Sequence, residues 1–204
     1  MATPITHLVL TDKVFNRYFS DKDKAKFFVG TSFPDIRYLA RIDRTITHLP
    51  HPTMAEMIAS SDFESGLKFH TYLDNVREGL VVRKNLYSFL PTSQFISQAM
   101  KFVEDTILYS KISNWKPIIR YFDKLYTEEF SYGVSEATVT KWHAGLQNYF
   151  GQKPGDKSIT EYFNIFGFSD EVLTEILKIS LEINQNTKFT EYVEVLYNTF
   201  EDLT

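Results

Sequence analysis

The sequence predicts an all-α protein built as a single multi-helix bundle. Apolar residues recur with the period of an α-helix along most of the chain, whereas strand-like alternation is short. Only 8 Gly and 7 Pro occur in 204 residues, which is few for the tight turns of a many-stranded sheet. Aromatic residues make up 16% of the chain, with 18 Phe and 12 Tyr, so large rings can fill the core between helices.

The first two helices follow from capping signals. Thr3-Pro4 predicts a helix start, because a capping hydroxyl precedes a proline at the first helical position. Ser20-Asp21 predicts the start of a second, short helix, and Gly30 is expected to end it as a C-terminal glycine.

The later elements are predicted in the same way. Pro34 opens a helix that runs through about Arg44, and the proline-containing segment 45–52 is a loop. Ser60-Ser61-Asp62 caps a long helix over 63–86. Further amphipathic helices are expected at 94–111, 114–130, 134–150, 159–166, 170–184 and 189–202.

Composition bounds the classes of function. The length predicts one domain over 1–204, with a ligand-bearing part at 1–90 and a helical extension at 91–204 that completes the core. The absence of cysteine excludes disulfides, Cys-type zinc fingers and thiol nucleophiles. A net charge of −4 argues against a dedicated nucleic-acid binder. No secretion signal or membrane span is recognisable, so the expected location is cytoplasmic.

The strongest local motif for chemistry is His70-x3-Asp74. Residues four apart on a helix share a face, so this imidazole and carboxylate can hold one metal ion, or the acid can orient the imidazole. Gly66, one turn earlier, predicts close approach of another helix or loop, with room left beside the imidazole. Taken alone, such a pair is more often a surface or core feature than a metal site.

A second candidate is Asp35. It falls in the first turn of the helix that Pro34 opens, where backbone N–H groups favour an ionised carboxylate, the form a metal ligand requires. An ordinary acidic residue at a helix start is the alternative explanation.

The remaining histidines are open to two interpretations. His7 sits near the apolar face of the first helix, as either a ligand or a hydrogen-bonded core residue. His48 and His51 lie in the proline-flanked loop, as ligands or as solvent-exposed side chains. Trp142-His143 is expected to be a partly buried helical pair rather than a catalytic one.

Taken in order, these segments resemble the zinc-dependent phospholipase C family, whose superfamily also includes the S1/P1-type nucleases. The resemblance covers roughly the first 80 residues. It consists of Thr6-His7-Leu8, Gly30-Thr31-Ser32-Phe33-Pro34-Asp35, Thr47-His48, and a helix with the pattern Phe63-x2-Gly66-x3-His70-x3-Asp74.

That resemblance implies the phospholipase C / P1 nuclease fold and hydrolysis of phosphoesters. It makes metal ligands of His7, Asp35, His48, His70 and Asp74, with His51 as the alternative to His48. The family's later His-x3-Glu is replaced here by His143 and Gln147, and no histidine lies between Asp74 and His143. One or two ions are therefore expected rather than three.

Zinc suits such imidazole and carboxylate ligands, with iron or manganese as alternatives. Its chemistry would activate water and polarise a phosphoryl oxygen, with Asp35 as the expected general base. Arg37, Arg41 and Arg44 are predicted to form a basic stripe on the helix after Asp35. From this stripe Arg37 and Arg41, and from the ligand helix Arg77, are the candidate phosphate contacts.

Three functions follow as hypotheses. The first is a metal-dependent phosphoesterase acting on a small phosphoester, and the second is a non-catalytic, metal-stabilised helical binding module. The third is a helical scaffold without metal. The substrate and the oligomeric state are left open.

Overall fold

A computed structural model describes residues 3–203, and within this range every regular element is a helix. The α-helices are α1 (Pro4–Tyr18), α2 (Lys24–Ser32), α3 (Arg37–Ala40), α4 (Arg44–Thr47), α5 (Met54–Ala59), α6 (Asp62–Arg83), α7 (Ile96–Leu108), α8 (Lys116–Arg120), α9 (Thr127–Phe130), α10 (Glu136–Phe150), α11 (Asp156–Asn164), α12 (Asp170–Asn184) and α13 (Thr187–Leu203). Short 3-10 helices lie at Phe33–Ile36, Leu86–Ser88 and Tyr109–Lys111. The predicted all-α class is confirmed.

The most extensive helix contact is between α2 and α6. Each helix brings a glycine to it: a Cβ on Gly30 would overlap the carbonyl oxygen of Phe63, and a Cβ on Gly66 would overlap that of Phe27. The close approach predicted at Gly66 is therefore confirmed. The expectation that Gly30 ends a helix is wrong, because α2 continues through it to Ser32.

Two predicted helices are broken in the structure. The segment after Pro34 is a 3-10 turn followed by α3, which ends where Arg41 adopts a left-handed conformation with φ 56°. The predicted helix over 114–130 is two short helices, α8 and α9, joined by a turn. By contrast, the prediction for 170–184 agrees with α12 at both ends.

The buried apolar side chains form a hydrophobic core that runs from Ile5 on α1 to Phe200 on α13. Helix α1 packs against α2, α7 and α13, and α7 also packs against α12. The segments 1–90 and 91–204, as far as they are described, both contribute to this core. Among the described residues, no helix is both long enough and apolar enough to cross a bilayer.

Candidate metal centre

Five predicted ligands from four segments meet at one buried place. They are His7 on α1, Asp35 on the 3-10 helix, His48 directly after α4, and His70 with Asp74 on α6. All five are less than 9% exposed. They form two groups, His7–His70–Asp74 and Asp35–His48–His70, and the ligand atoms of each group lie within 4.8 Å of one another. Since His70 belongs to both groups, the five donors form one cluster.

The His7 and His70 rings lie nearly parallel to each other beside the Asp74 carboxylate. The His7 and His70 rings stack with centroids 3.9 Å apart and planes 9° from parallel. Their Nε2 atoms lie 3.4 Å and 3.6 Å from the two carboxylate oxygens of Asp74. The His48 ring meets that of His70 edge to face, with centroids 4.9 Å apart.

Backbone carbonyl groups fix the orientation of two of these imidazoles. The His7 Nδ1 lies 3.1 Å from the carbonyl oxygen of Thr3, and the His70 Nδ1 lies 2.8 Å from that of Thr31. A carbonyl can only accept, so Nδ1 carries the proton and the lone pair of a neutral ring lies on Nε2. Both Nε2 atoms are buried without a hydrogen-bond partner. In metal-binding histidines the ring nitrogen that does not bind the metal commonly donates to a carbonyl oxygen in this way.

A threonine hydroxyl fixes the orientation of the His48 imidazole. The Thr47 hydroxyl donates to the carbonyl oxygen of Pro34 at 3.2 Å, which ties the segment after α4 to the 3-10 helix. The same hydroxyl oxygen lies 3.1 Å from the His48 Nδ1 and accepts its proton. The His48 Nε2 is consequently the third buried imidazole nitrogen without a partner.

Burial favours the neutral form of the His48 and His70 imidazoles, and the cluster favours an ionised Asp74. Burial lowers the pKa of His48 to about 3, helped by His70 and Arg44. Burial also lowers the pKa of His70 to about 4, helped by His7. Burial alone would raise the pKa of Asp74, but the His70 and His7 imidazoles hold it well below its usual value. These are the protonation states that metal ligands need.

The donor set fits a transition-metal ion such as zinc. Two ligands on a tetrahedral zinc, each ~2.0–2.1 Å from it, lie ~3.3–3.4 Å apart. The separations of 3.4 Å and 3.6 Å around Asp74 are close to this value and long for hydrogen bonds. Because an imidazole Nε2 has one lone pair, His70 can bind one ion only. The cluster could thus hold one ion, or two ions bridged by a carboxylate.

Asp35 lies on the side of the cluster that faces a cavity. Pro34 sets the 3-10 turn that carries it, and one of its carboxylate oxygens, Oδ1, is buried without a hydrogen-bond partner. The cavity beside it has a volume of about 310 Å³ and is bounded on one side by α7 and on another by α11. A carboxylate in this position can act both on the cluster and on a molecule in the cavity.

Arg77 does not have the predicted phosphate-binding role. It is 1% exposed, and its Nε and Nη2 each donate to a different carboxylate oxygen of Glu104 at 2.7 Å. The Tyr192 hydroxyl donates to the same carboxylate at 3.3 Å. Arg77 occupies the ligand-bearing helix as expected, but its guanidinium neutralises a buried acid on α7.

The predicted basic stripe is also wrong, because α3 ends at Ala40 and the three arginines do not share one helix. Arg37 stacks over Tyr38 with its guanidinium carbon 3.9 Å from the ring centroid. Arg41 is exposed in the left-handed turn. Arg44, at the start of α4, reaches the cluster, with Nη2 3.9 Å from Asp74 Oδ2 and half of its side chain exposed.

Two other histidines lie outside the cluster. His51 is exposed, with a left-handed backbone at φ 46°, so His48 and not His51 joins the candidate centre. His143 is buried on α10, where Nε2 bonds to Glu129 at 2.7 Å and Nδ1 lies 3.2 Å from the Phe122 carbonyl oxygen. Trp142 and His143 lie on a helix as predicted, but both are fully buried rather than partly buried.

Sequence reasoning missed two residues beside the cluster. Lys101, on α7, lines the cavity together with Tyr38. Burial raises the pKa of Tyr38, and Asp35 and Asp74 raise it further. A lysine inside the apolar run Ala99-Met100-Lys101-Phe102-Val103 was the available signal, since a cation there breaks the pattern of the buried face.

No family model matches this chain, and neither a curated protein nor a solved structure does. The resemblance to the zinc-dependent phospholipase C family therefore stays a prediction. The case for function depends on the geometry of the cluster.

Proposed function

We propose that this protein is a metal-dependent phosphoesterase that acts on a small phosphoester, with one or two zinc ions as its cofactor. The observation that carries the proposal is the convergence of three partnerless imidazole Nε2 atoms on the Asp35 and Asp74 carboxylates. An unpaired buried polar atom costs free energy, so three in one place call for a ligand that pairs them. The order of motifs along the first 80 residues supports the same class of enzyme.

The residues of the chain have separate roles in this proposal. His7, His48, His70 and Asp74 would hold the metal, and Asp35 would bind at its edge and serve as the general base for a water molecule. A divalent ion at this place supplies a Lewis acid for a phosphoryl oxygen and makes water reactive near neutral pH. Arg44, half exposed 3.9 Å from Asp74, carries a positive charge that would attract an anionic substrate toward the cluster.

The metal part of the proposal is tested by elemental analysis. We expect wild-type protein, loaded with zinc and desalted, to retain about one equivalent or more. His70→Ala should retain less than about 0.2 equivalents, because His70 belongs to both ligand groups. His51→Ala is the matched control and should retain as much as the wild type, since His51 is exposed outside the cluster. Equal zinc content in His70→Ala and His51→Ala would contradict the proposed metal site.

The catalytic part is tested with two chromogenic substrates, p-nitrophenyl phosphate and bis-p-nitrophenyl phosphate. We expect zinc-dependent turnover of at least one of them by the wild type and by His51→Ala. Asp35→Asn should retain zinc, because the group His7–His70–Asp74 is left intact, and lose at least about 100-fold in kcat, because an amide is not a base. Turnover that is equal in wild type and His70→Ala would contradict the enzyme assignment.

A second candidate function is the non-catalytic, metal-stabilised module. The burial of the cluster favours it, since a structural metal site is closed and supplied wholly by protein ligands. In that case zinc would raise the unfolding temperature of the wild type and both substrates would be left intact. The cavity beside Asp35 favours the enzyme instead, because a closed structural site needs no such opening.

A further inference from the structure

The cavity beside Asp35 is lined by two kinds of side chain. The aromatic ones, here called the aromatic wall, are Tyr38, Phe102, Tyr162, Phe163, Phe166 and Phe168. The polar ones on α7, here called the polar wall, are Ser97, Gln98 and Lys101. At about 310 Å³ the cavity is roughly twice the ~150 Å³ apolar cavity known to hold benzene. It has room for a ring with an attached polar group.

Lys101 is the cation of the polar wall. Burial lowers the pKa of its ammonium, with a further lowering by Arg77, while Asp35, Asp74 and Glu104 act in the opposite direction. Lys101 and Asp35 line the same cavity. Within residues 3–203 no hydrogen bond or ion pair occupies its Nζ, so its donors are free for a ligand.

Gln98 gives an independent sign that something polar is missing from this wall. Its amide oxygen is buried and has no hydrogen-bond partner in the described part of the chain. It lies one helical turn before Lys101, on the same side of α7. A ligand with both acceptor oxygens and a donor could pair these two side chains together.

The aromatic wall is arranged to contact flat groups. Phe163 and Phe168 meet edge to face with centroids 4.7 Å apart, and Tyr162 and Phe166 do so at 5.3 Å. These pairs present both ring faces and ring edges, which are the two surfaces that aromatic ligands prefer.

Building on the proposed function, we propose that this cavity is the substrate-binding site and that Lys101 binds the phosphoryl group of a phosphoester whose aromatic group lies against the aromatic wall. Lys101 thereby takes the phosphate-binding role that the sequence had suggested for Arg77, whose donors are occupied by Glu104. The phosphate lies between Lys101 and the metal ligands, where Asp35 faces the cavity.

Binding of non-hydrolysable phosphonates to the zinc-loaded protein tests this without turnover. Titration calorimetry would compare phenylphosphonate with methylphosphonate. We expect the wild type to bind the phenyl compound at least about 10-fold more tightly, because only its ring can contact the aromatic wall. Lys101→Met should weaken both by about 10-fold or more, as expected for loss of a charge-assisted hydrogen bond, and Lys101→Arg should recover part of the affinity.

Two matched variants sharpen the result. Lys157→Met removes an 85% exposed lysine side chain on α11 and should bind both compounds like the wild type. Phe168→Ala, at the partly exposed end of the aromatic wall, should lose the preference for phenyl while retaining methylphosphonate binding. Zinc content and unfolding temperature are measured for each variant, which separates loss of binding from loss of folding.

Each outcome decides one claim. If zinc is bound but Lys101→Met binds phosphonates as the wild type does, the role of Lys101 is wrong and the metal centre stands. If the phenyl and methyl compounds bind equally, or neither binds, the aromatic substrate site is wrong. If the wild type retains no zinc, the proposed function fails and this inference fails with it.

Discussion

At the scale of single residues, the cluster depends on which imidazole nitrogen carries a proton. The Nδ1–H of His7 and that of His70 each donate to a backbone carbonyl oxygen. The Nδ1–H of His48 donates to the Thr47 hydroxyl, which in turn donates its own proton to the Pro34 carbonyl oxygen. The three rings are thereby oriented by groups that the folding of α1, α2 and α4 provides. Each Nε2 is thereby left as the free acceptor, and the ligand atoms of each three-residue group lie within 4.8 Å of one another.

Asp105 shows how a buried acid can position the cluster from outside. Its Oδ1 accepts from the backbone N–H and the hydroxyl of Thr6, both at 2.7 Å, and its Oδ2 accepts from the Tyr149 hydroxyl at 3.0 Å. Thr6 precedes His7, so this bond network on α7 and α10 anchors the start of α1. Burial raises the pKa of Asp105 to about 6 in spite of these hydrogen bonds, which act to lower it.

The raised pKa gives a pH prediction. Between about pH 4 and 6 the folded protein holds a proton on Asp105 that the unfolded chain does not, so this contribution to stability is present at low pH and lost as the pH rises through 6. Asp105→Asn removes the dependence. We expect its stability relative to the wild type to increase by about 3 kcal/mol from acid to neutral pH, measured by urea unfolding.

The control for this experiment is Asp170→Asn, which replaces an exposed carboxylate at the start of α12. Its stability relative to the wild type should change far less over the same range of pH. A difference between Asp105→Asn and wild type that does not vary with pH would contradict the raised pKa.

At the scale of the elements, the contact between α2 and α6 decides where the ligands lie. Gly30 and Gly66 let the two backbones touch, which brings the Thr31 carbonyl oxygen within 2.8 Å of the His70 Nδ1. The 3-10 turn that carries Asp35 is the direct continuation of α2. The spacing between these helices therefore sets the distance between Asp35 and the His70–Asp74 pair.

Gly66→Ala tests this contact. The added Cβ would overlap the Phe27 carbonyl oxygen, a backbone atom that cannot move without shifting α2. We expect a loss of at least about 2 kcal/mol in the free energy of unfolding, together with weaker zinc binding. Urea unfolding and zinc titration measure the two effects.

Gly79→Ala is the matched control on the same helix. Its Cβ would meet only the end of the flexible Arg83 side chain, at 3.3 Å. We expect stability to be unchanged or raised by up to ~1 kcal/mol, since alanine favours a helix over glycine. If both alanine variants behave alike, close approach is not the reason for the glycine at position 66.

The broken helices show the limit of reading elements from local patterns. The signals for a helix after Pro34 are sound, but Thr47 bonds to the Pro34 carbonyl and His48 enters the cluster, which needs the chain to turn back at Arg41. A left-handed arginine is costly locally, and contacts distant in sequence offset that cost. No short window of sequence contains those contacts.

At the scale of the whole molecule, a buried ion pair joins the ligand-bearing segment to the rest of the chain. Arg77 on α6 binds Glu104 on α7 through two bonds of 2.7 Å, and Tyr192 on α13 completes the group. Both charged residues are at most 1% exposed. A buried charge whose partner is removed is strongly destabilising, whereas replacing both partners by apolar residues can be nearly neutral.

We therefore expect Glu104→Gln to reduce the free energy of unfolding by about 3–5 kcal/mol, because it removes the buried partner of the Arg77 charge and leaves only the half-exposed Glu78, 3.5 Å from Nη1. The double variant Arg77→Met/Glu104→Leu should recover most of this loss. Glu64→Gln breaks an exposed pair with Lys68 on α6 and should cost less than about 1 kcal/mol. Urea unfolding measures all three, and equal effects of Glu104→Gln and Glu64→Gln would contradict the account.

Much of the molecule follows from the sequence alone. The 3.6-residue period and the scarcity of glycine and proline predict an all-α chain, and this is confirmed because helical period is a property of short segments. The resemblance of the ordered motifs to the zinc-dependent phospholipase C family implies His7, Asp35, His48, His70 and Asp74 as metal ligands. The structure brings these side chains together, and their role as metal ligands stays a prediction.

Only the tertiary structure decided which charged groups surround that set. Arg77 donates its hydrogen bonds to Glu104, and His51 is exposed outside the cluster. Lys101 lines the cavity from a helix that the sequence predicted only as amphipathic. The direction of a long side chain depends on what packs beside it, and those neighbours lie tens of residues away along the chain. Local patterns specify the helices and the types of donor atom. Packing between helices that are distant in sequence determines the position of each charged group.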